Sequence, residues 1–193
     1  GFGDRRSGRI KTLTIDDAKV IAKQSYVASA TPQTTSGGTL TYRNTDLSAS
    51  LYGVGEQYFD VLGLKLESGR LFDETDVKED AQVVVIDQNT KEKLFGADVN
   101  PLGKTVLFNK RPLTVIGVMQ KEENSFGNAD VLMLWSPYTT VMHQITGESH
   151  TNSITVKIKD DANTQVAEKG LTELLKTRHG TEDFFMNNSD SIK

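Results

Sequence analysis

The chain has 193 residues, 36% of them hydrophobic and 25% charged, with a formal net charge of −4. This is an ordinary globular composition for one large or two small domains, and the acidic balance argues against nucleic acid, whose phosphates need clustered Lys and Arg. The absence of Cys excludes disulfides, thiolate metal sites and thiol nucleophiles, and no apolar run reaches the roughly 18 residues of a membrane span.

The chain opens Gly1-Phe2-Gly3-Asp4 without Met or a signal-peptide pattern, so it reads as a piece of something longer. Residues 1–11 are polar and carry Arg5, Arg6, Arg9 and Lys11, which suits an extended arm or a frayed end. Thr14 and Asp17 have the spacing of a capping box, and Ile15, Ala18, Ile21 and Ala22 then share one helical face. Val27 to Ala30 predicts a strand stopped by Pro32, followed by a polar loop at 34–38. Thr39 to Arg43 and Ala49 to Val54 predict a hairpin. Gly53 and Gly55 do not make a dinucleotide fingerprint, because the third glycine is missing.

Tyr58, Phe59, Leu62 and Leu64 predict a compact apolar cluster in a short helix ending at Gly63. The acidic run Asp73 to Asp80 lacks the Gly and Glu positions of a calcium loop and reads as a solvated loop. Val83 to Ile86 is a short buried strand. Asp87 caps a helix over Thr90 to Phe95, which Gly96 stops. Lys104 to Phe108 and Leu113 to Val118 predict two strands joined by a turn, with Pro112 at the start of the second. Gly96 to Thr105 imitates a phosphate-binding loop, but six residues separate its glycines instead of four, and a β run replaces the helix that should follow.

The polar loop 120–130 holds one large apolar residue, Phe126, which is either tucked back as a staple or presented to a partner; an exposed aromatic without a role is uncommon. Val131 to Trp135 predicts a strand, and Pro137 opens a helix that Gly147 closes. His143 and His150 are too far apart, and too bare of acidic or cysteine company, to suggest zinc. Ser153 to Lys159 alternates as a strand. Asn163 caps a helix that ends at His179-Gly180, and Phe184 to Met186 is a final short strand.

The two ends together supply helix-strand-hairpin and strand-helix-strand, close to a split βαβ plan. The expected fold class is therefore α+β. A discontinuous, porter-like subdomain of 1–55 plus 149–193 would carry a small mixed α/β subdomain of 56–148 inserted in it.

Several blocks carry a family resemblance: GRLF at Gly69–Phe72, VVVIDQNTKEKLFG at Val83–Gly96, PLGKTVLF with LTVIGV across Pro101–Val118, LWSPYTTVM at Leu134–Met142, NSITVKIK at Asn152–Lys159 and RHGTEDFF at Arg178–Phe185. No block is specific alone, but the set runs in order along nearly the whole chain. It is similar to the MacB-like periplasmic core domain family. The resemblance implies a periplasmic domain on the outer side of a Gram-negative inner membrane, inserted between transmembrane helices of an ABC transporter. That transporter would be a homodimer docking onto a MacA-type periplasmic adaptor and, through it, a TolC-type outer-membrane channel, to expel macrolides and some peptides. ATP and Mg would belong to a nucleotide-binding domain absent from this chain, so the fragment itself is expected to hold no cofactor, metal or catalytic residue. On this reading Phe126 lines the export path or its gate. The isolated domain is expected to be a monomer, because its composition shows no large apolar surplus for an obligate interface. Two other readings are the equivalent domain of a lipoprotein-releasing ABC permease, which would bind a soluble lipoprotein carrier, and a free-standing ligand-binding protein.

Overall fold

The computed structural model describes residues 13–121 and 131–181. The N-terminal arm at 1–11, Phe126 and the strand expected at 184–186 lie outside the described residues.

Helix α1 (Ile15–Ala22) starts where the Thr14/Asp17 spacing puts it: Asp17 N–H donates to Thr14 Oγ1 at 3.2 Å, and Thr14 N–H to Asp17 Oδ2 at 3.0 Å. Strand β1 (Val27–Tyr42) then runs for 16 residues. Sequence reasoning stops this strand at Pro32 and makes 34–38 a loop, yet it passes through both. Pro32 lies just before β2 (Thr45–Val54) begins to pair, at Gln33↔Val54, so no β1–β2 ladder bond needs its missing N–H. The 34–38 stretch is polar because Thr35 and Gly37 face outward.

Helix α2 (Tyr58–Val61) and strand β3 (Leu66–Gly69) follow. Leu62, expected in the apolar cluster, is 45% exposed, while Tyr58 and Phe59 are buried. The acidic run is a helix, α3 (Glu74–Lys78), and not a loop. Asp73 accepts from Asp76 N–H at 3.0 Å and Asp76 from Asp73 N–H at 2.9 Å, so two carboxylates serve a capping box.

Strand β4 (Val83–Ile86) leads into α4, an α-turn at Gln88–Thr90 that widens to π-helix at Lys91–Phe95. Asp87 caps it, accepting from Thr90 N–H at 2.8 Å, Thr90 Oγ1–H at 2.6 Å and Met133 N–H at 3.2 Å. Burial pushes the Asp87 carboxyl up, against these hydrogen bonds, so its charge is penalised while its acceptor role is needed. Asp87→Asn, which keeps an acceptor, should therefore stay within about 1 kcal/mol of wild type, whereas Asp87→Ala should lose about 1–2 kcal/mol. Urea unfolding of both variants checks this; equal losses would show that the cap contributes nothing.

Strands β5 (Thr105–Phe108) and β6 (Arg111–Met119) form the expected hairpin, with Asn109 and Lys110 both at positive φ in the turn. Strand β7 (Met133–Pro137) feeds α5, an α-turn at Tyr138–Thr140 continuing as π-helix at Val141–Thr146. Strand β8 (Ser153–Ile158) and helix α6 (Thr164–His179) complete the described chain.

The pairings close a ring. Strand β1 pairs β2, β2 pairs β7 in parallel, β7 pairs β4, β4 pairs β6 in parallel, β6 pairs β5, and β5 returns to β1 at Leu40↔Phe108. Alternate residues point inside, so Leu40, Leu51, Val84, Ile86, Val106, Phe108, Leu113, Val115 and Leu134 fill the barrel. The opposite residues Val85, Trp135 and Met119 face outward and are covered by Phe59, Phe72 and Val77. A bulge in β6 beside Val84/Val85 skips Ile116 and keeps both Val115 and Val118 inside. There β3 crosses closely: a Cβ on Gly69 would strike Ile116 O, and one on Gly117 would strike Arg70 O.

A third cluster lies apart from the barrel. Leu13, Ile21, Val27, Ala30, Leu171 and Leu175 pack together, with Ile154, Val156 and Ile158 against them. This terminal layer consists of α1, the start of β1, β8 and α6. The β1–β2 hairpin packs with the barrel instead, because Leu40, Ala49 and Leu51 face its interior.

Candidate functional site

The chemistry-bearing side chains concentrate where the terminal layer meets the barrel. Helices α1 and α6 are joined by ions. Asp17 Oδ1 accepts from Arg178 Nε at 2.7 Å, and Asp17 Oδ2 lies 2.9 Å from His179 Nε2. Arg178 also donates to Asp16 Oδ2 at 2.7 Å. The Asp17 side chain is only 3% exposed. Burial alone would push its carboxyl up, but Arg178, His179 and the Thr14 N–H together hold it below its ordinary value. The capping Asp of α1 thus also anchors the C-terminal turn of α6.

Beside this cluster runs a groove of about 510 Å³. Ile15 and Lys19 of α1 form one wall, and Tyr138, Met142 and His143 of α5 form the other, with Gly147 to Ser149 between them. The polar groups of α5 tie back into the barrel side. Thr139 Oγ1 donates to Val77 O, Thr140 Oγ1 to Ala81 O at 2.7 Å, and His143 Nδ1 lies 2.7 Å from Asp80 Oδ2. His143 therefore has a carboxylate partner, which the sequence reading did not supply. His150 sits 3.0 Å from Glu148 and bridges its backbone to Thr14. Among the described residues no group of three or more His, Asp or Glu converges to hold a metal.

Two residues beyond Ser149 of the groove, Thr151 is completely buried. Its Oγ1 accepts from Gln33 N–H at 3.0 Å and faces two carbonyls, Gln33 O at 2.5 Å and Ser153 O at 2.9 Å. Asn152 N–H donates to Gln33 O at 2.8 Å, and Asn152 Oδ1 accepts from Thr35 N–H at 2.8 Å. Neither Thr151 nor Asn152 stands out in the sequence; both look like ordinary turn residues before a strand. The phosphate-loop imitation resolves into left-handed Gly96 and Gly103 flanking a loop, with Thr105 starting β5. Phe126, the single residue assigned to an export path, lies outside the described residues.

The sequence pattern of the MacB-like periplasmic core domain matches residues 2–174. The chain belongs to the MacB-like periplasmic core domain family. It is 89% identical over its whole length to the macrolide export ATP-binding/permease protein MacB of Neisseria meningitidis serogroup A, of which it covers 30%. It is 57% identical to the protein of the same name from Aggregatibacter actinomycetemcomitans, again covering 30% of that protein. The chain thus spans less than a third of the curated relatives it matches. Among solved structures, the periplasmic region of MacB from Actinobacillus actinomycetemcomitans superposes with a TM-score of 0.89 at 55% identity, covering 100% of this chain and 86% of that one. The extracellular domain of the ABC-type transporter YknZ from Gram-positive bacteria shares the fold, with a TM-score of 0.80 at 24% identity over 91% of this chain and 89% of that one. As a member of the MacB-like family, the chain is a periplasmic domain of mixed α/β architecture.

Proposed function

We propose that this domain is the periplasmic relay of a MacB-type exporter, passing ATP-driven motion from the membrane side to an adaptor. The observation that carries the reading is the match along the full chain to proteins named for macrolide export and ATP binding, of which this chain is the periplasmic portion. On this reading ATP and Mg are handled by a nucleotide-binding domain elsewhere in the transporter, two copies of which form the dimer. The partners are a MacA-type adaptor and, through it, a TolC-type channel, and macrolides or peptides are the cargo.

The domain is further proposed to work as two parts, one built from the chain ends (1–55 plus 149–193) and one from 56–148, with the β1–β2 hairpin of the first packing into the barrel of the second. The separate core shared by α1, the start of β1, β8 and α6 supports a part built from both ends, while Leu40, Ala49 and Leu51 of the first segment belong to the barrel core. Phe126 stays a proposed part of the export path, carried by its sequence setting alone.

The test is made in cells whose macrolide resistance depends on the full-length transporter carrying this domain. Removing residues 13–181 should abolish resistance while the nucleotide-binding domain still hydrolyses ATP. The purified chain should bind the MacA-type adaptor and not a soluble lipoprotein carrier. Carrier binding without adaptor binding would replace this reading with the lipoprotein-releasing one. Phe126→Ala in the same cells should lower resistance without lowering the melting temperature of the domain; unchanged resistance removes Phe126 from the path.

A further inference from the structure

We propose that the chain contains a hinge at the Gln33–Thr151 crossing, and that the groove between α1 and α5 is the cleft this hinge opens and closes. The proposal rests on the two-part reading of the domain, with the boundary drawn where the two cores part, so that β1 beyond Gln33 and β2 go with the barrel. The chain passes between the terminal layer and the barrel twice, once along β1 near Gln33 and once through residues 147–152. These two passages touch each other at Gln33 and Thr151, next to Thr31, whose Oγ1 accepts from Gly55 N–H at 2.9 Å, so a change of angle between the parts pivots about this crossing.

Both walls of the groove are firmly mounted. The α1 wall is fixed to α6 through Asp17, Arg178 and His179. The α5 wall is fixed to the barrel side through Thr139, Thr140 and His143. The space between them, about 510 Å³, leaves room for one to approach the other. Compliance is thereby concentrated at the crossing, as in hinge closure, where a few residues absorb the change.

The crossing is built to shift. The Thr151 hydroxyl has one proton and two acceptor carbonyls, Gln33 O and Ser153 O. Gln33 O also accepts from Asn152 N–H, so it keeps a partner when the hydroxyl turns to Ser153. Turning the hydroxyl to Ser153 O therefore leaves Gln33 O partnered. Gly147, at φ 70, enters the seam in the left-handed region, which glycine adopts without steric cost. Along β1 the ladder also changes partner here. The strand pairs β8 up to Gln33↔Ser153, then meets Asn152, Asn109 and β5 in turn.

Spin-label distances in the purified chain test the hinge. One pair, Lys19 with Glu79, crosses the groove. Two control pairs lie within the parts: Lys19 with Glu173 in the terminal layer, and Glu79 with Lys104 in the barrel part. All four positions are exposed. The crossing pair should give a distance distribution about twice as wide as either control. Thr151→Val should widen or shift the crossing distribution and leave the controls unchanged, and Thr151→Ser, which restores the hydroxyl, should match wild type. A crossing pair as narrow as the controls and unmoved by Thr151→Val overturns the hinge. Controls as wide as the crossing pair overturn the two-part reading beneath it. Should Thr151→Val fail to fold, the comparison of widths in the unaltered protein decides alone.

Discussion

Asp17→Ala is expected to destabilise the domain by about 3 kcal/mol at neutral pH, the lower end of what removing one partner of a buried ion pair costs. The lower end applies because the Arg178 side chain is 29% exposed and keeps Asp16 as a second partner. His179 is more enclosed, at 8% exposure of its side chain, so its loss of a carboxylate carries more of the effect. Asp17 also caps α1, and alanine removes that acceptor too. The pH dependence follows from the direction of the shift. The folded carboxyl lies below its ordinary 3.8, so its contribution is fully present above the unfolded value and is lost as pH falls through the folded one. Urea unfolding from neutral pH down into the acid range should show the wild type losing its advantage over Asp17→Ala only in acid. Equal midpoints for the two proteins at neutral pH would contradict this account.

Phe108→Ala should cost about 3–5 kcal/mol, as truncation of a fully buried aromatic does when its surroundings cannot collapse. Phe108 has no exposure and sits opposite Leu40 at the pair that returns the ring to β1. Its side chain faces strands β4, β6 and β7 through Val84, Val115 and Leu134, which belong to the same core. The matching control is Val166→Ala. Val166 is 67% exposed on α6, and its truncation should stay within about 0.5 kcal/mol. Thermal or urea denaturation of both variants compares them, and a loss at Phe108 no larger than that at Val166 would show that the barrel is not closed there.

Much of this was legible in the sequence, for identifiable reasons. Capping at Thr14, Asp87 and Asn163 was readable because a short polar side chain stands at a fixed offset from an apolar face. The β4 and β5–β6 runs were readable because branched residues cluster between turn signals. The Asp73/Asp76 box has the same offset as Thr14/Asp17, yet it was hidden: the surrounding carboxylates looked like a solvated run, and both cap partners are acidic. The continuity of β1 was hidden by Pro32 and by the small residues at 34–38, where Thr35 and Gly37 face outward from the ring while Thr34 is buried. The candidate site was scarcely readable at all. Asp17 to Arg178 and Gln33 to Thr151 are long-range contacts between residues of common type, and no local spacing announces them. Phe126 is conspicuous because it is the one aromatic in the polar stretch 120–130, a local signal of the kind a sequence can give.

The ring has a consequence for how the chain acquires its structure. Two of its closures, β2 with β7 and β4 with β6, are parallel, and β2 meets β7 only through Met133 to Pro137. A growing chain that has exposed everything up to Met119 still lacks the strand that joins β2 to β4. The first hairpin must therefore wait with one side unpaired until Pro137 has emerged. Topologies dominated by such distant pairings fold on the order of milliseconds to seconds. During that interval the Thr- and Gly-rich face of β1 is a safer surface to leave uncovered than an apolar strand, whose open edge would recruit other chains.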